Sequence, residues 1–181
     1  MKTKILLFVF LFPAFILVNS CQEDEILSTS FSVVLTQDFI VHHTADSVFV
    51  KDTLLDASAQ SGDIEKYKDR IEQVTLTRVS YLLTAFNGAD DQELSQGNIV
   101  IADTGGANSM LLTTMSQVNL KSLWNNETDL TVNQAAVGLL GNLVKDAPHA
   151  FLVHAEGVMN KKPLDFTIRI RFHLTIKAGV L

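Results

Sequence analysis

The sequence has one cysteine, Cys21, among 181 residues, and it carries no excess of positive charge. A single cysteine excludes an internal disulfide and a zinc site built from several thiolates. With 14 basic and 20 acidic residues, the chain lacks the charge pattern of nucleic-acid-binding proteins, so no nucleic-acid partner is expected. It also contains no G-x-S-x-G elbow, P-loop, dinucleotide-binding glycine loop or H-E-x-x-H motif. Several common routes to catalysis are therefore missing, and no cofactor or metal is predicted.

The first 20 residues differ in composition from the rest of the chain. They contain 14 apolar residues, two lysines (Lys2 and Lys4) and no acid. The apolar stretch from Ile5 to Val18 is about 14 residues long, which suits a signal peptide and is short of the roughly 20 residues of a transmembrane helix. The rest of the chain keeps 12 basic and 20 acidic residues, a net charge of −8. Its apolar runs are all too short to span a bilayer.

The apolar stretch leads directly into Val18-Asn19-Ser20-Cys21. This pattern resembles the lipobox of bacterial lipoproteins, in which the cysteine is lipidated and becomes the first residue after cleavage. Asn19 departs from the more usual Ala or Ser. The acidic residues 22–25 are similar to the export signal of surface lipoproteins in some Gram-negative phyla, although a plain polar tether has the same composition. The resemblance implies a signal peptide over residues 1–20, palmitate-type lipidation of Cys21 and anchoring at the cell outer membrane.

Residues 30–181 are predicted to form a single α+β domain, joined to the anchor by a polar tether over residues 21–29. From Phe166 to Ile176 every second residue is apolar, which indicates a long strand with one buried and one exposed face. Residues 150–158 alternate in the same way, so residues 150–158 and 164–177 are predicted to form a hairpin. The fold class is expected to be an antiparallel sheet, or an elaborated β-sandwich, with one or two covering helices.

The clearest helix is predicted over residues 131–145, with a capping box formed by Thr131 and Gln134. Apolar residues follow at helical spacing. Gly138 and Gly141 are unfavourable within a helix, and we interpret them as positions where the helix approaches a sheet closely. A second helix is expected over residues 63–71.

Four further strands are expected, over residues 31–35, 47–50, 73–86 and 98–102. The alternation in the third of these slips near Arg78, as a β-bulge would cause. Residues 107–123 fit either a helix or a strand.

The last strand carries a row of basic side chains on its polar face: Arg169, Arg171, His173 and Lys177. On an acidic domain this row predicts an anion- or partner-binding surface. The alternative is that each member pairs with an acid on a neighbouring strand.

Two arrangements suggest catalysis. Asp103-Thr104-Gly105 follows an apolar strand and resembles the active-site triplet of aspartic proteases, although an acid before a Gly-Gly turn is also ordinary turn chemistry. If the predicted hairpin brings His154, Glu156 and His173 together, they could form a metal site with two histidines and one carboxylate.

These features favour a lipid-anchored lipoprotein of the cell envelope with a non-enzymatic role in binding a protein or glycan partner or in structure. One alternative is a small envelope hydrolase that uses Asp103 or the histidine metal site. The other is a carrier that holds an apolar ligand, such as a lipid, between sheet and helix.

Overall fold

The fold is a sandwich of two four-stranded antiparallel sheets, seen in a computed structural model that describes residues 27–43 and 45–180. Its strands are β1 (Ser28–His43), β2 (Val48–Asp56), β3 (Ile71–Phe86), β4 (Glu93–Ala102), β5 (Met110–Asn119), β6 (Thr128–Asp129), β7 (Ala150–Met159) and β8 (Leu164–Gly179). Sheet A has the order β1-β8-β3-β6 and sheet B the order β2-β7-β4-β5. The predicted antiparallel β-sandwich is confirmed.

The helices are short and lie beside the sheets. They are α1 (Ala57–Gln60), α2 (Gly62–Tyr67), α3 (Leu120–Leu123) and α4 (Gln134–Lys145), with a 3₁₀ turn over Lys68–Arg70. Helix α4 packs against β3 of sheet A and against β5 and β7 of sheet B. Because the strands dominate, the α+β class is confirmed only in part. Among the described residues, no helix combines the length and apolar character needed to cross a membrane.

The core lies between the inner faces of the two sheets, where the alternating residues of β7 and β8 meet. The rings of Phe151 and Phe172 pack edge to face at 5.5 Å between centroids, and Phe49 and Phe166 do the same at 5.6 Å. Such pairs add about 0.5–1.5 kcal/mol beyond the burial of their apolar surface. The period-two pattern therefore correctly identifies the buried side chains of β7 and β8.

The predicted hairpin of residues 150–158 and 164–177 is wrong. Both strands exist, but β7 belongs to sheet B and β8 to sheet A. The connection of residues 160–163 carries the chain across the sandwich, so the two strands face each other and do not pair. Alternation specifies a buried face, and it leaves open whether the partner lies beside the strand or across the core.

Helix α4 is confirmed, but its predicted capping box is wrong. The N-cap lies two residues later, at Asn133, and the Ala135 amide donates to the Asn133 side chain at 3.0 Å. The backbone carbonyl of Thr131 instead accepts a hydrogen bond from the Thr113 hydroxyl at 2.7 Å. Asn at the N-cap supplies the same acceptor that the hydroxyl was expected to supply.

The glycine interpretation holds at one of its two positions. A Cβ atom at Gly141 would lie 3.0 Å from the backbone oxygen of Val74 on β3, whereas a Cβ atom at Gly138 would meet nothing within 4 Å. Only Gly141 marks a close approach of the helix to the sheet.

Several strand boundaries differ from the predictions. The bulge near Arg78 is confirmed by a register shift between Leu76 and Arg78. Residues 107–123 prove to be mostly strand, followed by the short helix α3. The second predicted helix, residues 63–71, is present as α2 followed by the 3₁₀ turn over Lys68–Arg70. Strand β1 begins at Ser28, so the last residues of the predicted tether belong to the sheet, while Cys21 lies outside the described residues.

Candidate functional site

The predicted basic row lies on the outer face of β8, and each of its members contacts an acid. Arg169 makes a bidentate pair with Asp38 of β1, both contacts being 2.7 Å, and Lys177 Nζ lies 2.9 Å from a carboxylate oxygen of Glu72. Arg171 and His173 both face Glu127. The row is therefore largely neutralised within its own sheet, as the alternative interpretation proposed.

Glu127 is the centre of this network. Its carboxylate accepts hydrogen bonds from the Ser80 hydroxyl at 2.5 Å, from Arg78 at 2.8 Å and from Arg171. The Ser80 hydrogen bond, followed by the charges of Arg171 and Arg78, lowers the pKa of Glu127. The contacts tie β3 and β8 to the segment that leads into β6.

Ser80, His173 and Glu127 are close together without forming a catalytic triad. The Ser80 hydroxyl oxygen lies 3.2 Å from His173 Nε2, and Glu127 approaches the same nitrogen at 3.7 Å. In a triad the carboxylate holds the opposite ring nitrogen, so that the imidazole is oriented towards the nucleophile. Ser80 is also fully buried. The arrangement is that of a structural hydrogen-bond network.

The alternative metal site of His154, Glu156 and His173 does not form. His154 and Glu156 point outward from sheet B, while His173 points outward from sheet A, so the sandwich separates them. No cluster of three metal-ligating side chains occurs among the residues that the structure describes. This alternative depended on the predicted hairpin, and β7 and β8 lie in different sheets.

Asp103 organises a turn. Its carboxylate accepts hydrogen bonds from the backbone amides of Gly105 and Ala107 at 3.1 and 2.9 Å, and from both the amide and the side chain of Asn108. These bonds lower the pKa of Asp103, the Ala107 amide contributing most. An aspartic protease needs a carboxylate that shares a proton with a second one. The geometry here matches the alternative, an acid that closes a Gly-Gly turn.

The cavity between the two sheets is too small for an apolar ligand. The cavity between the sheets, lined by side chains such as Phe49, Leu94 and Phe166, measures about 20 Å³. That volume is close to the space of a single water molecule.

The outer face of sheet B was not predicted from the sequence. Five apolar side chains on this face are between 42% and 53% exposed. They are Val48, Val50 and Leu54 of β2, Val158 of β7 and Leu111 of β5. We call this set the apolar patch. Val48 and Val158 are paired across β2 and β7, and exposed apolar side chains grouped on one face of a folded domain make that face a candidate interaction surface.

A small polar cluster lies within the apolar patch. His154 Nδ1 is 2.7 Å from an Asp52 carboxylate oxygen, and His154 Nε2 is 3.7 Å from Glu156. The Asn98 amide donates to the other oxygen of Glu156 at 2.8 Å. This hydrogen bond, together with His154, lowers the pKa of Glu156 and keeps it ionised at neutral pH.

Comparisons with known proteins add no functional assignment. No model of a known protein family matches the chain, and no curated protein matches it. Among solved structures, a chain of Desmodium yellow mottle tymovirus has 9% identity and a TM-score of 0.31 over 100% of this chain and 97% of its own. A chain of turnip yellow mosaic virus has 7% identity and a TM-score of 0.30 over 84% and 96%. Similarity at this level supports no functional conclusion.

Proposed function

We propose that this chain is a lipid-anchored lipoprotein of the bacterial outer membrane that binds a partner protein through the outer face of sheet B, without catalysis of its own. The observation that carries the proposal is the apolar patch. Burying such side chains against a partner yields about 25 cal/mol for each Å² of apolar surface removed from water.

The anchor rests on the resemblance of residues 18–21 to a lipobox. If Cys21 is lipidated, seven peptide units separate it from the start of β1 at Ser28. A fully extended chain spans at most about 3.5 Å per residue, so Ser28, where the sandwich begins, would lie within roughly 25 Å of the anchored cysteine. A partner bound to the apolar patch would then also be held near the membrane surface.

The catalytic alternatives receive less support from the geometry. Asp103 is engaged in its turn, and His154 and His173 lie on opposite sheets. The carrier alternative would require a larger space than the cavity of about 20 Å³ in the core.

The anchor is tested by metabolic labelling with radioactive palmitate in a Gram-negative host. We expect the full-length chain to incorporate label and to fractionate with membranes, and Cys21→Ala to lose both properties. A chain that is processed and released without label would contradict the anchor. Protease treatment of intact cells then distinguishes a surface-facing domain, which is degraded, from a periplasmic one.

The binding surface is tested by placing a photoreactive amino acid at position 50 or at position 40 of the full-length chain in its native envelope. Ile40 is a matched control because it is 67% exposed on the outer face of sheet A. We expect one discrete cross-linked product from position 50 that is lost when Leu54→Lys is added, and none from position 40. Equal cross-linking at both positions, or none at position 50, would overturn the proposed surface.

A further inference from the structure

The two outer faces of the sandwich differ in how their charges are balanced. On sheet A each member of the basic row faces an acid within the same surface. On sheet B two carboxylates, Asp52 and Glu156, share the single imidazole of His154. That cluster therefore keeps a negative charge whether or not the imidazole is protonated.

No basic side chain on sheet B balances this charge. Lys51 is the one Lys or Arg in its four strands, all of which the structure describes, and its register places it opposite the buried Ala155, on the inner side. The outer face of these four strands therefore supplies no lysine or arginine to the acidic cluster.

A groove beside the acidic cluster provides a site for a cationic side chain. The groove measures about 220 Å³, and its floor is the backbone of Gly97 and Gly157, which pair across β4 and β7. Val48 and Val158 form apolar walls, and Glu156 lies at its side. One oxygen of Glu156 accepts from Asn98, while the other is 3.7 Å from His154, too far for a strong hydrogen bond.

Charge also decides between the possible occupants of this face. A second copy of the chain packed face to face would bring Asp52 and Glu156 against the same carboxylates, which is unfavourable in a desolvated interface. Addition of a strand to the edge of β2 is opposed by Lys51, since an inward-pointing charge is a device that blocks edge pairing.

We propose that the groove between Val48, Val158 and Glu156 receives a Lys or Arg side chain of a partner polypeptide, while apolar residues flanking that cation cover the apolar patch. This inference rests on the proposed function and specifies the chemistry of its partner. The aliphatic stem of the cationic side chain would contact the two valines, and its charged end would hydrogen-bond to the free oxygen of Glu156.

The test uses the full-length chain, processed by the cell and reconstituted in nanodiscs of zwitterionic lipid, with three short fluorescent peptides. The peptides alternate Val and Thr and differ only in two central residues, which are Lys, Gln or Glu. Binding is followed by fluorescence anisotropy. We expect the Lys peptide to bind about tenfold more tightly than the Gln peptide at low salt, and the Glu peptide most weakly, because a charge-assisted hydrogen bond in a partly desolvated groove is strong.

Variants of the chain test separately whether the partner is cationic and whether this face binds a partner at all. The Asp52→Asn and Glu156→Gln double variant should bind the Lys and Gln peptides equally and retain affinity for the Gln peptide. Val50→Lys should abolish binding of all three peptides, and Ile40→Lys, with the same change in charge, should have no effect. If the wild-type chain binds the three peptides equally, the proposal that the partner is cationic is wrong, but the proposal that this face binds a partner still stands. Absence of binding, or binding unaffected by Val50→Lys, would overturn the surface itself.

Discussion

At the scale of single residues, Glu127 accounts for the most connected part of the polar surface. It lies in the segment before β6, yet it contacts Ser80 and Arg78 on β3 and Arg171 on β8. Because β6 pairs with β3 over only two residues, these side-chain bonds reinforce the backbone hydrogen bonds that Asn125 and Leu130 make to β3 at that edge of sheet A. The basic row is thereby a structural feature of the sheet.

Replacing Glu127 should therefore destabilise the fold in a pH-dependent way. Glu127→Gln keeps the shape but removes the charge that faces two arginines, and we expect a loss of about 1–2 kcal/mol at pH 7 by urea unfolding. The pKa of Glu127 is lowered in the folded chain, so its contribution is present above the pKa of the unfolded state, near 4, and is lost as the pH falls through the lowered value.

The exposed pair of Lys121 and Asp90 provides the control for this prediction. Asp90→Asn removes one partner of a surface ion pair, and such pairs contribute at most about 1 kcal/mol. If Glu127→Gln costs no more than Asp90→Asn, or if its effect persists unchanged at pH 3, the network does not have the role assigned to it.

At the scale of elements, the sequence indicates which face of a strand is buried but not which strand lies next to it. Alternation in residues 166–176 correctly identifies the buried side chains of β8. The same pattern in β7 is compatible with pairing beside β8 or packing across the core, because the connection of four residues is short enough for both. Helix α4 was predictable from its apolar spacing, whereas its cap was not, since Thr131 and Asn133 are both suitable N-cap residues.

The two glycines of α4 give a matched test of the contact between helix and sheet. Gly138→Ala should stabilise the fold by about 0.5–1 kcal/mol, because alanine is favoured within a helix and its Cβ would meet no atom. Gly141→Ala gains the same propensity, but its Cβ would press on the backbone oxygen of Val74 at 3.0 Å. We expect a net destabilisation of about 1 kcal/mol or more in urea titrations. Stabilisation by both substitutions would mean that α4 moves away from β3 easily.

At the scale of the whole molecule, the candidate site depends on which strands become neighbours. Residues 1–25 suffice to predict an anchor, because that signal is local in sequence. The apolar patch combines side chains from β2, β5 and β7, and only the order of sheet B brings them together. In β2 both faces are rich in apolar residues: Phe49 and Leu55 enter the core while Val50 and Leu54 remain exposed. The sequence therefore offers no sign of which apolar residues stay outside.

The negative charge within the apolar patch should also govern whether copies of the molecule associate. Face-to-face contact between two copies would bury apolar surface, but it would bring the carboxylates of Asp52 and Glu156 together, so we expect the chain from residue 22 onward to sediment as a monomer at low salt. The Asp52→Asn and Glu156→Gln double variant removes that repulsion and should form dimers through the exposed valines and leucines. Asp63→Asn with Glu65→Gln on α2 removes the same amount of charge elsewhere and should remain monomeric.

Analytical ultracentrifugation distinguishes these outcomes. A dimeric wild-type chain, or dimers of both double variants, would show that net charge or another surface controls association. Dimers of the Asp52→Asn and Glu156→Gln variant alone would identify the carboxylates of sheet B as the groups that keep this face free for a cationic partner.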